Sequence, residues 1–161
     1  MHQGNVEIER KYLVRSDVYR RLATAQHEVK QGYLCADGIR TVRVRLWDDT
    51  GVLTIKGRGN GVSRFEWERT ISAEDALALF ALCRDGRVEK TRYIVPIEGT
   101  PLNVEVDVFH GDNNGLVLAE IELPTEEYLF AVPEWLGKEV TGDPRYYNSY
   151  ISAHPFNTWK D

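Results

Sequence analysis

The amino-acid sequence predicts an α+β protein whose eight antiparallel strands close into a barrel, or tunnel, with a charged interior and helices packed outside. Segments in which apolar and charged residues alternate recur along most of the 161 residues, and this alternation is the period of a β-strand. Helical patterns are few and lie between strands, as in antiparallel α+β folds. About eight strands also leave a closed barrel room for interior side chains and one small ligand.

The predicted strands lie between short turn segments that contain Gly, Asp, Asn or Pro. They are residues 6–14, 30–35, 41–47, 52–57, 63–71, 88–96, 103–110 and 117–123. No linker or repeat divides the chain, and a chain of this length can bury one sizeable core. We therefore predict a single domain over residues 1–161.

Four segments carry helical signals. They are residues 17–25 after Ser16, 76–83 after Ser72, 126–130 after Thr125 and 148–153 before Pro155. Ser and Thr are favoured helix N-caps, and Ser72 with Asp75 three residues later resembles a capping box. We expect these helices to cover the apolar outer wall of the barrel.

Composition and charge exclude several classes of function. The net charge of −5 disfavours nucleic acid as a partner, because such partners select a basic surface. No uncharged stretch approaches the roughly 20 residues that span a bilayer, and the first residues lack a signal-peptide core. Cys35 and Cys83 have no metal-ligand spacing around them and are predicted to be free thiols. We expect a cytoplasmic protein without membrane contact.

Charged residues occupy alternate positions in seven predicted strands and therefore share one face of each strand. They are Glu7, Glu9 and Lys11; Arg43 and Arg45; Lys56 and Arg58; Arg64, Glu66 and Glu68; Lys90 and Arg92; Glu105 and Asp107; Glu120 and Glu122. A sheet with one solvated face is the alternative explanation. Like charges about 7 Å apart repel, however, unless a multivalent counter-ion lies between them. Carboxylates suit Mg²⁺ or Mn²⁺, and Arg and Lys suit phosphate oxygens, so this face indicates a metal-phosphate receptor.

The segment Glu7-Ile8-Glu9-Arg10-Lys11 resembles the Glu-x-Glu-x-Lys signature of the CYTH domain, the triphosphate tunnel metalloenzyme superfamily. The resemblance continues through residues 31–34, 42–45, 53–56, 64–68, 89–93, 104–109, 119–123, 135–141 and 145–148. It implies an eight-stranded tunnel that acts on a small-molecule triphosphate with Mg²⁺ or Mn²⁺. The short chain and Gln31-Gly32-Tyr33-Leu34 look most like the small bacterial members that hydrolyse inorganic tripolyphosphate.

The resemblance also implies roles for individual residues. Metal ligands would be Glu7, Glu9, Glu120 and Glu122, and phosphate ligands would be Lys11, Arg43, Arg45, Lys56, Arg64, Lys90 and Arg92. Glu66 and Glu68 would orient water or a second metal, or else form ion pairs with Arg64 or Lys90. Lys11 and Tyr33 are a pair proposed to activate water in related proteins. Phosphate binding is our preferred role for Lys11, since neighbouring carboxylates favour its charged form, and Tyr33 can instead be a wall residue.

Alternatives remain open at this point. The chain could be an adenylate cyclase, a hydrolase of nucleoside or thiamine triphosphate, or a polyphosphate-binding module without catalysis. A homodimer would cover exposed apolar wall. Arg58, between Gly57 and Gly59, is predicted to lie in a loop, and the four Trp residues, Trp47, Trp67, Trp135 and Trp159, are predicted to pack outside the tunnel.

Overall fold

The computed structural model describes residues 6–37, 39–59, 62–83 and 87–159. Within these ranges the strands are β1 (Val6–Val14), β2 (Ala25–Ala36), β3 (Thr41–Trp47), β4 (Thr50–Gly59), β5 (Ser63–Ile71), β6 (Val88–Pro96), β7 (Asn103–Phe109), β8 (Val117–Glu122) and β9 (Leu136–Glu139). The α-helices are α1 (Tyr19–Leu22), α2 (Ala73–Phe80) and α3 (Asn148–Ala153). Short 3₁₀ turns occupy Gly111–Asn113, Pro144–Tyr146 and Phe156–Thr158.

Eight antiparallel strands close into a barrel, as the sequence predicts. The order around the sheet is β5-β4-β3-β2-β6-β7-β8-β1, and a further pairing of β1 with β5 closes the ring. This closing seam is short in the part of the chain that the structure describes, where β5 pairs with Val6, Glu7 and Ile8 of β1. The ninth strand, β9, pairs with the later part of β1 at Tyr12 and Val14. Strand β1 is therefore shared among three neighbours.

The apolar core lies mainly outside the barrel wall. Val104, Val106, Ala119 and Ile121 face outward from β7 and β8 and pack with Tyr12, Tyr19 and Tyr93. Helix α2 covers another part of the wall, where Ala76 and Phe80 pack against Val44 of β3. Because the outer face buries the apolar residues, the charged alternate positions are left to face the interior.

Helix α3 lies differently from the prediction, which placed every helix on the outer wall. Ile151 of α3 packs against Val88, Phe109 and Leu118 at one end of the barrel. Asn148, at the start of the helix, accepts hydrogen bonds from Lys90 Nζ (2.9 Å) and from the side-chain amide of Gln31 (3.1 Å). The helix therefore closes this end, and its first residues become part of the interior wall.

Several element boundaries match the prediction, and others correct it. Strands β1, β3, β5 and β6 and helix α3 have the predicted bounds, and Ser72 caps α2 by accepting a hydrogen bond from Asp75 N (2.9 Å). The helix predicted after Ser16 is a single turn, Tyr19–Leu22, because the backbone is already extended at Ala23. The predicted helix at 126–130 is absent from these described residues, where Leu129 is 93% exposed and therefore has no apolar surface to pack against.

Long-range pairing explains the strands that the sequence pattern missed. Residues Ala25 to Val29 extend β2 because they pair with β6, from Ile94 back to Lys90. Strand β9 forms against β1 from a four-residue segment with little alternation of its own. No helix within the described residues has the length and apolar character needed to span a membrane.

Candidate active site

The barrel interior contains a cavity of about 310 Å³. Every residue predicted for the site lines this cavity. They are Glu7, Glu9 and Lys11 from β1, Tyr33 from β2, Arg43 and Arg45 from β3, Lys56 from β4, Arg64, Glu66 and Glu68 from β5, Lys90 and Arg92 from β6, and Glu120 and Glu122 from β8. Side chains from seven strands therefore converge on one enclosed space.

Sequence reasoning missed seven lining residues. They are Thr41, Trp47, Val52, Thr54, Tyr147, Asn148 and Ser149. Glu105, which belongs to the predicted charged face but was given no role, also lines the cavity. The prediction that Trp47 packs outside is wrong, since Trp47 continues the inward-facing series Arg43, Arg45 on the same strand. That two-residue spacing was a usable signal, as it was for Thr54 before Lys56. Tyr147 to Ser149 enter the wall only because α3 closes the barrel end, which no local pattern indicates.

Two buried arginines lack a counter-charge in this cavity. Arg45 Nε donates to Gln31 Oε1 (3.2 Å), and Arg43 Nη2 donates to Thr54 Oγ1 (3.3 Å), both neutral partners. Arg43 Nε is buried without a hydrogen-bond partner among the described residues. Burial, together with the guanidinium groups of Arg43 and Arg92, lowers the pKa of Arg45 to about 9. Buried cations held by neutral groups form a binding site for an anion.

Two further cations share the buried carboxylate of Asp107. Lys90 Nζ lies 2.7 Å from Asp107 Oδ2, and Arg92 donates to both Asp107 oxygens at 2.7 and 2.8 Å. Despite burial, Arg92 and Lys90 hold the pKa of Asp107 below its usual value. Burial lowers the pKa of Lys90 to about 7, with Arg92 and Arg45 acting in the same direction. With Arg43 and Arg45 included, four cations face the carboxylates of Asp107 and Glu105 here, so this side of the cavity has an excess of positive charge.

The opposite side of the cavity has an excess of negative charge. Glu9 pairs in register with Glu122, and Lys11 pairs with Glu120 across β1 and β8. Burial and the carboxylates of Glu120 and Glu7 raise the pKa of Glu9 to about 8. Partial burial and the carboxylates of Glu7 and Glu105 likewise raise the pKa of Glu122, a largely exposed residue that also lines the cavity. Despite the burial of Glu120, Lys11, Arg92 and Lys90 hold its pKa well below the usual value, so the raised pKa values in this cluster are those of Glu9 and Glu122.

Two lysine side chains form ion pairs with carboxylates of this side. Lys56 Nζ lies 2.8 Å from Glu7 Oε1 and 3.4 Å from Glu66 Oε2, and Lys11 Nζ lies 3.5 Å from Glu120 Oε1. Burial opposes ionisation of Glu7, but Lys56 and hydrogen bonds from Glu66 and Lys56 lower its pKa to about 2. No three acidic, His or Cys side chains of the described residues already stand at metal-binding spacing. The oxygen donors nevertheless suit a hard divalent cation such as Mg²⁺ or Mn²⁺.

Glu66 and Glu68 differ in their surroundings. Burial and the hydrogen-bonded carboxylate of Glu7 raise the pKa of Glu66 to about 7. Its carboxylate lies 3.4 Å from Lys56 Nζ. Glu68 accepts a hydrogen bond from Thr54 Oγ1 (3.0 Å), the hydroxyl that also binds Arg43. Glu66, like Glu9, is therefore a carboxylate whose pKa is raised toward neutral pH.

Lys11 and Tyr33 make separate contacts. Lys11 Nζ donates to the carbonyl oxygen of Tyr146 (2.8 Å) and lies 5.5 Å from the centre of the Tyr147 ring. The Tyr33 hydroxyl accepts a hydrogen bond from Gln31 Nε2 (3.3 Å). No hydrogen bond joins Lys11 to Tyr33 in the part of the chain that the structure describes. The contacts of Lys11 are those of a charged ammonium group.

Arg64 and Arg58 line a second cavity. Arg64 Nε is 3.7 Å from Glu7 Oε1, and its guanidinium lies 5.5 Å from the Tyr147 ring centre. Arg58 is in strand β4 rather than in the predicted loop. The second cavity, of about 340 Å³, shares Glu7, Lys56 and Arg64 with the first. The two cavities therefore adjoin on the side of the seam.

The sequence profile of the CYTH domain matches residues 5–147. The chain belongs to the CYTH domain family. An inorganic triphosphatase of Acetivibrio thermocellus is 45% identical over 156 residues, covering 96% of this chain and 98% of the relative. A second CYTH-domain relative, an inorganic triphosphatase of Nitrosomonas europaea, is 37% identical over 150 residues, covering 91% and 96%. The crystal structure of an inorganic triphosphatase is similar with a TM-score of 0.64 and 31% identity, covering 91% of this chain and 94% of that one.

Proposed function

We propose that this CYTH-domain protein hydrolyses inorganic tripolyphosphate to pyrophosphate and phosphate inside the barrel, with Mg²⁺ or Mn²⁺ as cofactor. The observation that carries the proposal is the division of one cavity into a cation-rich side and a carboxylate-rich side. Within the described residues, Arg43 and Arg45 on one side and Glu9 and Glu122 on the other form no ion pair, and a complex of metal and tripolyphosphate would supply both counter-charges. The two relatives named inorganic triphosphatase support this choice of substrate.

The phosphate-binding set comprises Lys11, Arg43, Arg45, Lys56, Arg64, Lys90 and Arg92. Arg43 and Arg45 have N–H groups that neutral partners leave available, and planar guanidinium groups bind phosphate oxygens in fixed geometry. Such groups hold the chain of three phosphates in place and stabilise the charge that develops as the anhydride bond breaks.

The metal-binding set comprises Glu7, Glu9, Glu120 and Glu122. A divalent ion bound there would neutralise phosphate oxygens and make the phosphorus more susceptible to attack. Glu9 and Glu122 are adjacent on neighbouring strands, so their carboxylates can approach a common cation. Their raised pKa values fit a site whose charge is balanced only when a cation is bound.

Glu66 is the group that we assign to accept a proton from the attacking water. Its raised pKa, about 7, allows it to take up a proton near neutral pH, which is the condition for an efficient general base. Glu68 would orient the same water. Lys11 would bind phosphate, because it lines the cavity together with the other cations, and the pair with Tyr33 is the alternative for water activation.

The test is phosphate release from tripolyphosphate by purified protein with Mg²⁺ or Mn²⁺. Arg45→Gln should lower kcat/KM by about 100-fold, mainly through a higher KM, because this guanidinium binds tripolyphosphate in the ground state as well as in the transition state, and Glu9→Gln should weaken metal binding. Arg69→Gln and Glu127→Gln are matched controls, since both residues are exposed and lie outside the cavity lining. Unchanged turnover in Arg45→Gln and Glu9→Gln would contradict the site.

A substrate panel separates this function from its rivals. ATP and thiamine triphosphate are assayed beside tripolyphosphate, with detection of phosphate, ADP and cyclic AMP. Preference for tripolyphosphate supports the proposal, and cyclic AMP from ATP would identify a cyclase. Binding of tripolyphosphate in calorimetry without turnover under either metal would identify a non-catalytic binding protein.

We also propose a homodimer and a cytoplasmic location. The free thiols Cys35 and Cys83 are typical of a reducing compartment. Phe65 and Val6 are exposed neighbours across the barrel seam, and Leu77 and Leu82 are exposed near α2. A second copy could cover such apolar surface. Measurement of the mass in solution tests the dimer, and a monomeric mass would contradict it.

A further inference from the structure

Trp47 lies inside the barrel at the end of β3 and touches two arginines of the phosphate-binding set. The guanidinium carbon of Arg45 and that of Arg92 each lie 5.7 Å from the centre of its ring. Arg45 belongs to β3 and Arg92 to β6, and β2 lies between these two strands. The indole therefore spans one strand and joins cations from both sides of it.

We propose that Trp47 is a positioning residue that holds the Arg45 guanidinium toward bound tripolyphosphate, an inference that rests on the proposed function. An aromatic face attracts a cation without occupying its N–H groups. Among the described residues, Arg45 donates one side-chain hydrogen bond, from Nε to Gln31. Its other N–H groups stay available to phosphate oxygens, whereas a carboxylate partner would compete with phosphate for them.

The position of Arg92 is fixed by its own ion pairs. Arg92 donates to Asp107 at 2.7 and 2.8 Å and to Glu105 at 3.2 Å, so its position is determined by two carboxylates. Arg45 forms no ion pair within the described residues. Arg45 has fewer contacts that fix its position than Arg92 has. Because the Trp47 ring contacts both guanidinium groups, it holds Arg45 at a defined position beside Arg92.

The neighbours of Trp47 fix the ring itself. The His27 ring packs against the indole with 4.6 Å between ring centres, and His27 Nδ1 lies 2.8 Å from Asp48 Oδ2. Asp48 Oδ1 accepts a hydrogen bond from Glu28 N (3.0 Å), and Asp48 N donates to Glu28 O (3.0 Å). Asp48 has a positive φ of 53°, a backbone conformation that Asp tolerates better than most residues. These hydrogen bonds therefore hold the turn after β3 against β2. The position of the indole is fixed as a result.

Trp67 offers a matched control on the outer surface. It is half-buried like Trp47 and has its own cation contact, with Arg69 at 4.7 Å from the ring centre. It faces away from the cavity, because Glu66 and Glu68 on either side of it line the interior. Trp67→Leu therefore removes an equivalent contact that the proposal does not involve.

The experiment compares Trp47→Leu, Trp47→Phe and Trp67→Leu with the wild-type protein. KM and kcat for tripolyphosphate are measured with Mg²⁺ or Mn²⁺, tripolyphosphate binding is measured by calorimetry in EDTA, and thermal midpoints verify folding. Trp47→Leu should raise KM about tenfold, or about 1.4 kcal/mol, with kcat within about twofold because binding is lost equally in ground and transition states. Trp47→Phe keeps a weaker aromatic face and should raise KM about threefold. Trp67→Leu should leave KM unchanged.

The outcomes separate this inference from the function on which it rests. A wild-type protein that neither binds nor hydrolyses tripolyphosphate overturns both. A wild-type protein that hydrolyses it, with wild-type KM in Trp47→Leu or with equal losses in Trp47→Leu and Trp47→Phe, overturns only the role of the aromatic face. If Trp47→Leu does not fold, the inference is tested with Trp47→Phe alone. An unchanged KM in that variant then overturns the inference.

Discussion

Replacing Asp107 by Asn removes a negative charge that two buried cations share. The Lys90 and Asp107 side chains are 0% and 1% exposed, and their charged atoms lie 2.7 Å apart. Arg92 contacts both oxygens of the same carboxylate. Asn has nearly the same shape as Asp, so the substitution changes the charge with little change in packing.

The expected loss of stability is large. Removing one partner of a buried ion pair costs about 3 to 5 kcal/mol, because the other charge stays buried without compensation. For a chain of this length, 1 kcal/mol lowers the thermal midpoint by about 2 to 4 °C. We therefore expect the midpoint of Asp107→Asn to fall by roughly 6 to 20 °C. Tripolyphosphate should narrow this difference, since its charge replaces the one that was removed.

Urea unfolding of the metal-free protein, with and without tripolyphosphate, measures both effects. Asp112→Asn is the control, because Asp112 is exposed and surface substitutions usually change stability by about 0.5 kcal/mol or less. A loss in Asp107→Asn no greater than that of the control would refute the description of the cation-rich side.

Two further predictions concern the carboxylate-rich side. Because the pKa of Glu9 is raised from 4.5 to about 8, the folded protein holds a proton that the unfolded chain has released, and stability falls as pH rises between these values. Urea unfolding in EDTA at pH 5 and pH 8 should show this loss in the wild-type protein and a smaller loss in Glu9→Gln; equal losses would contradict the assignment. Mg²⁺ or Mn²⁺ at about 100 times its Kd should stabilise the wild-type protein by about 2.7 kcal/mol, whereas Glu9→Gln should require more metal, as calorimetry can establish.

Local alternation was enough to predict the barrel and most of its lining. Glu7, Arg45 and Glu122 are far apart in the sequence, yet each lies on a strand whose apolar face must be buried, and burial of that face turns the charged residues inward. The residues that line the cavity can therefore be predicted from the alternation of apolar and charged residues, provided that the sheet closes into a barrel. The roles of these residues in metal and phosphate binding remain predictions.

Features that depend on distant contacts could not be predicted in the same way. Asn148 enters the wall because α3 packs against β6, β7 and β8 at the barrel end, and Leu136–Glu139 forms a strand only because an edge of β1 is available. Trp47 was misplaced because its apolar character suggested the outer core, although its spacing from Arg45 indicated the interior. At Trp47 the strand geometry outweighed the general preference of large aromatic residues for packed cores.

The short seam between β1 and β5 has a consequence for how the barrel opens. Within the described residues, β1 pairs with β5 at Val6, Glu7 and Ile8 alone, while Glu7 also contacts Lys56 and Arg64 from β4 and β5. A cation and a polyanion bound near Glu7 would add contacts between β1 and β5 and so stabilise their pairing. Amide protons along this seam should therefore exchange faster than those of β6 and β7 in the empty protein, and slow down most when the ligand is present.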